Sequence, residues 1–295
     1  MSGIAHILNV IVPDGSGADV AVRVRGALGN ADVRWLSPGH AFEIGFGGDV
    51  PPALAAAKNA AGDAKADINV VSAQNRRKSL LIADMDSTII GCECLDELAD
   101  MAGLKDKVSA ITERAMRGEL DFASALRERV AMLKGLELSA LDRVYKDRIK
   151  LNPGARTLLA TMRANGAQTL LVSGGFGYFT SRVAKDAGFH SDQANTLLDD
   201  GKGLLGTVGD PILGREAKLA ALEKAVAEMK ISFDQTLAVG DGANDLDMIK
   251  RAGLGVAYHA KPIVAAAAGA SIAYGDLTAL LYLQGYRDDE FVRVD

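Results

Sequence analysis

The chain has 295 residues, 48% of them hydrophobic and 24% charged, with a formal net charge of −5. This is the composition of a soluble globular protein, long enough for one large α/β domain with a smaller companion. The acidic balance leaves no electrostatic footprint for nucleic acid. No apolar run reaches the roughly 18 residues of a membrane span, and the N-terminus lacks the regions of a signal peptide, so a cytoplasmic setting without a membrane partner is expected.

In chain order, residues 6–12 read as a strand and 17–28 as a helix. Residues 33–36 and 41–46 form a hairpin across Ser37-Pro38-Gly39-His40, since proline and glycine mark a turn. A second helix spans 50–61, with Pro51 and Pro52 tolerated in its first turn, and 68–72 is a strand. The order βαββαβ is that of a ferredoxin-like sandwich, giving a domain at 1–75. The polar stretch Gln74-Asn75-Arg76-Arg77-Lys78 reads as a solvated linker. Residues 76–295 form the main domain, opening with an apolar strand that ends in Asp84-Met85-Asp86-Ser87-Thr88. Cys92 and Cys94, the only cysteines, are too few for a disulfide framework and read as reduced thiols.

Residues 93–150 carry apolar side chains at helical spacing (Leu95, Leu98, Ala99; Phe122, Leu126, Val130, Leu133) and read as a helical cap without strands. Asn152-Pro153-Gly154 marks the return to the core. Helices at 155–164, 179–187, 215–229, 244–252, 263–268 and 277–283 then alternate with strands at 169–173, 236–240, 255–258 and 272–274. A β-hairpin spans 195–208. The alternation predicts a doubly wound parallel sheet with helices on both faces.

Three strands end in polar, glycine-rich turns. In an extended segment positions i and i+2 share a side, so Asp84 and Asp86 would stand together at the carboxyl edge, where open α/β sheets bind ligands. Two like charges that close need a cation, a shared proton or a substrate. Ser173-Gly174-Gly175-Phe176 supplies a hydroxyl and backbone N–H groups able to approach an oxyanion. Gly240-Asp241-Gly242-Ala243-Asn244-Asp245 adds a third strand-end acid. Lys218 lies early in a helix, where a parallel sheet places helix N-termini near strand ends. Each feature alone has an ordinary reading as a cap, turn or surface charge. All four in one α/β frame point to a site.

Those four segments resemble the motifs of the haloacid dehalogenase superfamily of phosphatases. Glu93 and the segment Ser124-Ala125-Leu126-Arg127-Glu128-Arg129-Val130 resemble its phosphoserine phosphatase branch. The resemblance spans residues 78–285 and implies an α/β core of Rossmann-like type with a helical cap inserted after the first strand. The N-terminal unit is similar to a small ACT-type domain in pattern alone. The resemblance further implies Asp84 as nucleophile and Asp86 as proton donor and then base. It implies Mg²⁺ held by Asp84, Asp241 and the backbone carbonyl of Asp86. Ser173, Gly174, Lys218 and Asn244 would contact the phosphoryl group, with Asp245 behind them. Glu93 would meet the ammonium and Arg127 the carboxylate of O-phospho-L-serine, under an apolar lid of Met116 and Phe122. Rival readings are a phosphatase or phosphotransferase for phosphothreonine or phosphohomoserine, and a phospho-accepting signalling module. The N-terminal unit is read as structural or dimerising, allowing a homodimer, in preference to ligand binding.

Overall fold

The computed structural model describes residues 4–116 and 119–294, excluding the side chains of residues 115 and 116. Its strands are β1 (His6–Ile11), β2 (Val33–Ser37), β3 (Ala41–Phe46), β4 (Asp67–Ser72), β5 (Leu80–Ala83), β6 (Gln168–Phe176), β7 (Ser191–Asn195), β8 (Leu197–Asp199), β9 (Leu204–Val208), β10 (Thr236–Gly240), β11 (Leu254–Tyr258) and β12 (Ala270–Ile272). The chain divides into two compact units. One comprises Met1–Ile82, Pro153–Thr169 and Lys224–Asp295; the other comprises Ala83–Asn152 and Leu170–Glu223.

In the first unit, the N-terminal strands form an antiparallel sheet of order β2-β3-β1-β4. Helices Gly17–Ala27 and Val50–Ala61 connect these strands in the predicted βαββαβ order. Alternation in β1 sends Leu8 and Val10 inward to meet Val20 and Val24 of the first helix and Ala57 and Ala61 of the second. Gly17 is required sterically, because a Cβ there would lie 2.5 Å from the carbonyl oxygen of Gly39.

The larger sheet has the order β12-β11-β10-β5-β6-β7. The β10–β11, β11–β12 and β6–β7 pairs are parallel. β5 and β10 are entirely buried, as expected of strands covered on both faces. Helices alternate with these strands, so the predicted parallel α/β sheet is observed. β7 falls outside the predicted strands. Its sequence, Ser-Asp-Gln-Ala-Asn, has no β-branched or aromatic residue and becomes a strand at the sheet edge by pairing with β6.

The last strand lies two residues earlier than predicted. The backbone N–H groups of Ala273, Tyr274 and Gly275 donate to the carboxylate of Asp67 at the start of β4, at 2.7, 3.2 and 2.8 Å. Burial nevertheless holds the Asp67 carboxyl above its usual range, opposed by these donors. Asp67→Ala should lower unfolding free energy by about 2 kcal/mol in urea denaturation, since it strips three N–H groups of one charged acceptor.

The segment expected to be a solvated linker is partly buried. Arg76 pairs with the buried Glu43 of β3 and donates to the Leu283 carbonyl at 2.8 Å. Lys78 is buried, with Nζ 2.6 Å from the Asp234 carbonyl. Composition alone cannot reveal this, because long cationic stems cover apolar surface while their heads find acceptors.

In the second unit, helices Cys94–Met101, Lys105–Met116, Phe122–Ala131 and Leu138–Asp147 form the predicted helical region. Strands join it after all: the β8–β9 hairpin packs on Phe122–Ala131, Glu137 bridges Gly203, and Gly135 N–H donates to the Leu204 carbonyl at 2.8 Å. Cys92 and Cys94 are free thiols. Burial pushes Cys92 up to about 12 and Cys94 upward as well. Among the described residues no helix is long and apolar enough to cross a membrane.

Candidate active site

β5 stops at Ala83, and Asp84 is the first residue beyond it, still extended at φ −70° and ψ 159°. Asp86 is also extended, and Ser87 then turns into the left-handed region at φ 55°. That conformation is uncommon for a residue with a side chain. It is held by Ser87 N–H donating to the Cys92 carbonyl at 3.2 Å and Ser87 Oγ donating to Glu93 Oε1 at 2.7 Å. The strained turn thus ties the acidic strand end to Glu93, which precedes helix Cys94–Met101.

The two carboxylates have different surroundings. Asp84 is 5% exposed, and its Oδ1 accepts from Met85 N–H at 2.8 Å and lies 2.8 Å from Nζ of the fully buried Lys218. Among the described residues no cation is paired so closely with Asp86. Its Oδ1 accepts from Cys94 N–H at 2.9 Å and its Oδ2 from Ser173 Oγ at 3.1 Å. Burial pushes the Asp86 carboxyl up to about 6; the Cys94 N–H opposes the shift and the neighbouring Asp84 charge adds to it. One acid is therefore matched to a buried ammonium, while the other is poised to carry a proton near neutral pH.

The Ser173 turn is built for close approach. Ser173 Oγ accepts from Gly175 N–H at 2.8 Å while donating to Asp86. A Cβ at Gly175 would lie 3.0 Å from both Asp86 Oδ2 and Ser173 Oγ. Asn195, not identified from the sequence, holds this turn. Its buried side chain donates to the carbonyls of Gly174 (2.8 Å) and Leu213 (3.1 Å) and accepts from Leu213 N–H (2.7 Å). It thereby clamps the turn to the loop just before the helix of Lys218. Only its place at the end of β7 could have signalled it, and that strand was not legible.

The remaining predicted residues are placed as follows. β10 ends at Gly240, where a Cβ would lie 2.3 Å from the Asp245 carboxylate, so any side chain there would displace Asp245. The buried Asp245 accepts from Gly242 N–H at 3.0 Å, and Asn244 folds back over Gly242. Phe122 is 38% exposed, unlike Leu126 and Val130 of the same helix, and lies against Gly174 and Gly214. It is thus not core filling. The Met116 side chain lies outside the described residues. Arg127 points to solvent and pairs with the exposed Asp210 at 2.8 Å. Arg129 is half-buried; burial lowers its pKa, opposed by the charges of Asp96 and Glu93.

Among the described residues, Asp84 of the second unit and Asp241 and Asp245 of the first are acids that could hold a metal ion. Three hard oxygen donors without nitrogen or sulfur suit a divalent cation of the Mg²⁺, Ca²⁺ or Mn²⁺ type. An acidic cluster fit to hold a metal, a lysine-paired carboxylate, a raised acid and a glycine-rich hydroxyl turn together suit phosphoryl transfer.

The comparisons agree with this chemistry. The family model for haloacid dehalogenase-like hydrolases matches residues 78–253. A phosphoserine phosphatase of Polaromonas sp. is 46% identical over 209 residues, covering 69% of this chain and 89% of the relative. One from Streptomyces coelicolor is 43% identical over 232 residues; there the match covers 78% of this chain but only 56% of the longer relative. A solved HAD family hydrolase from Salmonella enterica superposes with a TM-score of 0.84 at 29% identity, over 96% of this chain and 99% of that one. The chain belongs to the haloacid dehalogenase-like hydrolases.

Proposed function

We propose that the chain hydrolyses O-phospho-L-serine to L-serine and phosphate in the cytoplasm, the last step of serine biosynthesis, with Mg²⁺ as cofactor. The observation that carries this reading is the asymmetry of the carboxylate pair, Asp84 on Lys218 and Asp86 raised to about 6. Relatives of this chain in Polaromonas and Streptomyces are phosphoserine phosphatases, which favours the phosphorylated amino acid.

An oxygen of Asp84 attacks phosphorus, and the bond to the serine oxygen breaks as Asp86 gives that oxygen its proton. The product is L-serine and an aspartyl-phosphate. A water then attacks phosphorus, losing its proton to Asp86 as the bond to Asp84 breaks and phosphate leaves. Asp86 ends protonated and Asp84 ionised, as they began. Lys218, Ser173, the Gly174 N–H and Asn244 stabilise charge on the phosphoryl oxygens, and Asp245 orients its neighbours. Asp84, Asp241 and the Asp86 carbonyl would hold Mg²⁺, whose positive charge would offset the crowded acids and the phosphate dianion.

Glu93, anchored by Ser87, receives the substrate ammonium, with Phe122 as part of the apolar lid. For the substrate carboxylate the half-buried Arg129 is better suited than Arg127, which is exposed and engaged with Asp210. Arg129→Ala should raise KM for phosphoserine about 10–100-fold, the loss expected of a charged hydrogen-bonding pair. An aryl phosphate without the carboxylate should be spared, and Arg127→Ala should change either substrate little. Equal losses on both substrates would remove Arg129 from substrate selection.

The test of the whole reading is phosphate release from a panel containing phosphoserine, phosphothreonine, phosphohomoserine and p-nitrophenyl phosphate. Phosphoserine should give the highest kcat/KM, and EDTA should abolish turnover until Mg²⁺ is restored. Persistent turnover without metal, or preference for another ester, rejects the corresponding part of the proposal. Repeated turnover separates the enzyme from a phospho-accepting signalling module.

A further inference from the structure

A cavity of about 300 Å³ lies within the first compact unit, between β4 with its following segment and the region of Ile249 to Gly255. It shares no residue with the candidate active site. Ser72, Gln74, Arg76 and Lys78, from the end of β4 and the irregular segment after it, contribute polar side chains to its lining. Lys250 lines it from the last turn of helix Leu246–Arg251. The other lining residues are apolar or glycine, and none is acidic. Three cations therefore line one small cavity in a chain whose net charge is −5.

These cations are only partly neutralised. Arg76 spends one nitrogen on Glu43 and the Leu283 carbonyl, while its buried Nε has no hydrogen-bond partner. A buried donor left in that state costs free energy unless a ligand or water meets it. Lys78 Nζ donates to the Asp234 carbonyl. Burial lowers the Lys78 pKa, the Asp234 charge opposes this, and the Arg76 charge adds to it.

We propose that this cavity is a binding site for a small metabolite bearing a carboxylate or phosphate group, held by Arg76, Lys78 and Lys250. The oxyanion lies among the three cations. The apolar remainder of the ligand lies against Val70, Ile249 and Leu254, which also line the cavity. Gln74 and Ser72 supply neutral hydrogen-bonding groups for a second polar substituent.

The full-length chain, freed of metal with EDTA, is titrated with inorganic phosphate and with succinate, using sodium chloride at matched ionic strength as control. Thermal unfolding and calorimetry are the readouts, and neither requires activity. Because Arg76→Ala would strand the buried Glu43, the variants are Lys250→Glu at an exposed position and Ala267→Phe, which fills the cavity. Saturable stabilisation by phosphate, succinate or both is expected, and the anion that binds more tightly identifies the headgroup. Lys250→Glu should weaken binding about tenfold or more, Ala267→Phe should abolish it, and Asp84→Asn should leave it intact. No saturation beyond the chloride control, an unchanged affinity in Lys250→Glu, or loss of binding in Asp84→Asn would each overturn the assignment. Failure of the phosphatase reading would leave these results untouched, since no arm measures catalysis.

Discussion

Asp84→Asn is expected to lower phosphoserine turnover by about 10⁵-fold, the scale on which removing a covalent nucleophile acts. The amide cannot form the aspartyl-phosphate, so no other residue restores the first step. The variant also removes the carboxylate charge 2.8 Å from the Lys218 ammonium, which is 1% exposed. Removing one member of a buried ion pair costs about 3 kcal/mol, so the midpoint of denaturation should fall as well. The two effects separate under folding conditions. Circular dichroism at the assay temperature should report a folded chain, and acid-quenched incubation with ³²P-labelled phosphoserine should leave no label on the protein. A labelled Asp84→Asn variant would show that the phosphoryl acceptor lies elsewhere.

Asp86→Asn is expected to act differently on different leaving groups. Serine alkoxide is a poor leaving group and needs a proton, so its departure should slow by about 10²–10⁴-fold, the usual contribution of a positioned general acid. p-Nitrophenolate leaves without one, and its release in a single-turnover experiment should be much less affected. Hydrolysis of the aspartyl-phosphate also needs Asp86, now as base, so phosphoenzyme should accumulate with the aryl ester. The pH dependence follows from the direction of the shift. With its carboxyl raised to about 6, the free chain loses the acid form as pH rises through that value, so kcat/KM for phosphoserine should decline on the alkaline side. That limb should vanish in Asp86→Asn. Equal losses on both esters, with the limb retained, would assign the proton to another group.

Neither effect could be assigned to one carboxylate from local sequence alone. Asp84 and Asp86 occupy alternate positions after an apolar strand, and their proximity is legible because extended chains alternate faces. Their difference comes from residues far away in sequence: Lys218, more than 130 positions on, against Asp84, and Ser173 against Asp86. The arginines show the same limit. From the sequence, Arg127 is expected to clamp the substrate carboxylate, and Arg129 is given no role. In the fold one pairs with exposed Asp210, while the other is half-buried in the field of Glu93 and Asp96. Asn195 gave no signal, because the strand that delivers it is polar and exists through its pairing with β6.

What the sequence by itself determined is the periodic part of the protein: the βαββαβ unit, the helical region after the first acidic turn, and the alternation that makes a parallel α/β sheet. These follow from apolar spacing and turn residues within a few positions of one another, where backbone sterics and burial act locally. What only the tertiary structure decided is which polar groups left water, and with which partner. Arg76 and Lys78 read as solvated and are largely buried, the final strand gives way to N–H groups donating to Asp67, and a hairpin joins a region expected to be wholly helical. Desolvation and hydrogen-bond satisfaction depend on every element packed around a group, so no stretch of chain carries that information alone.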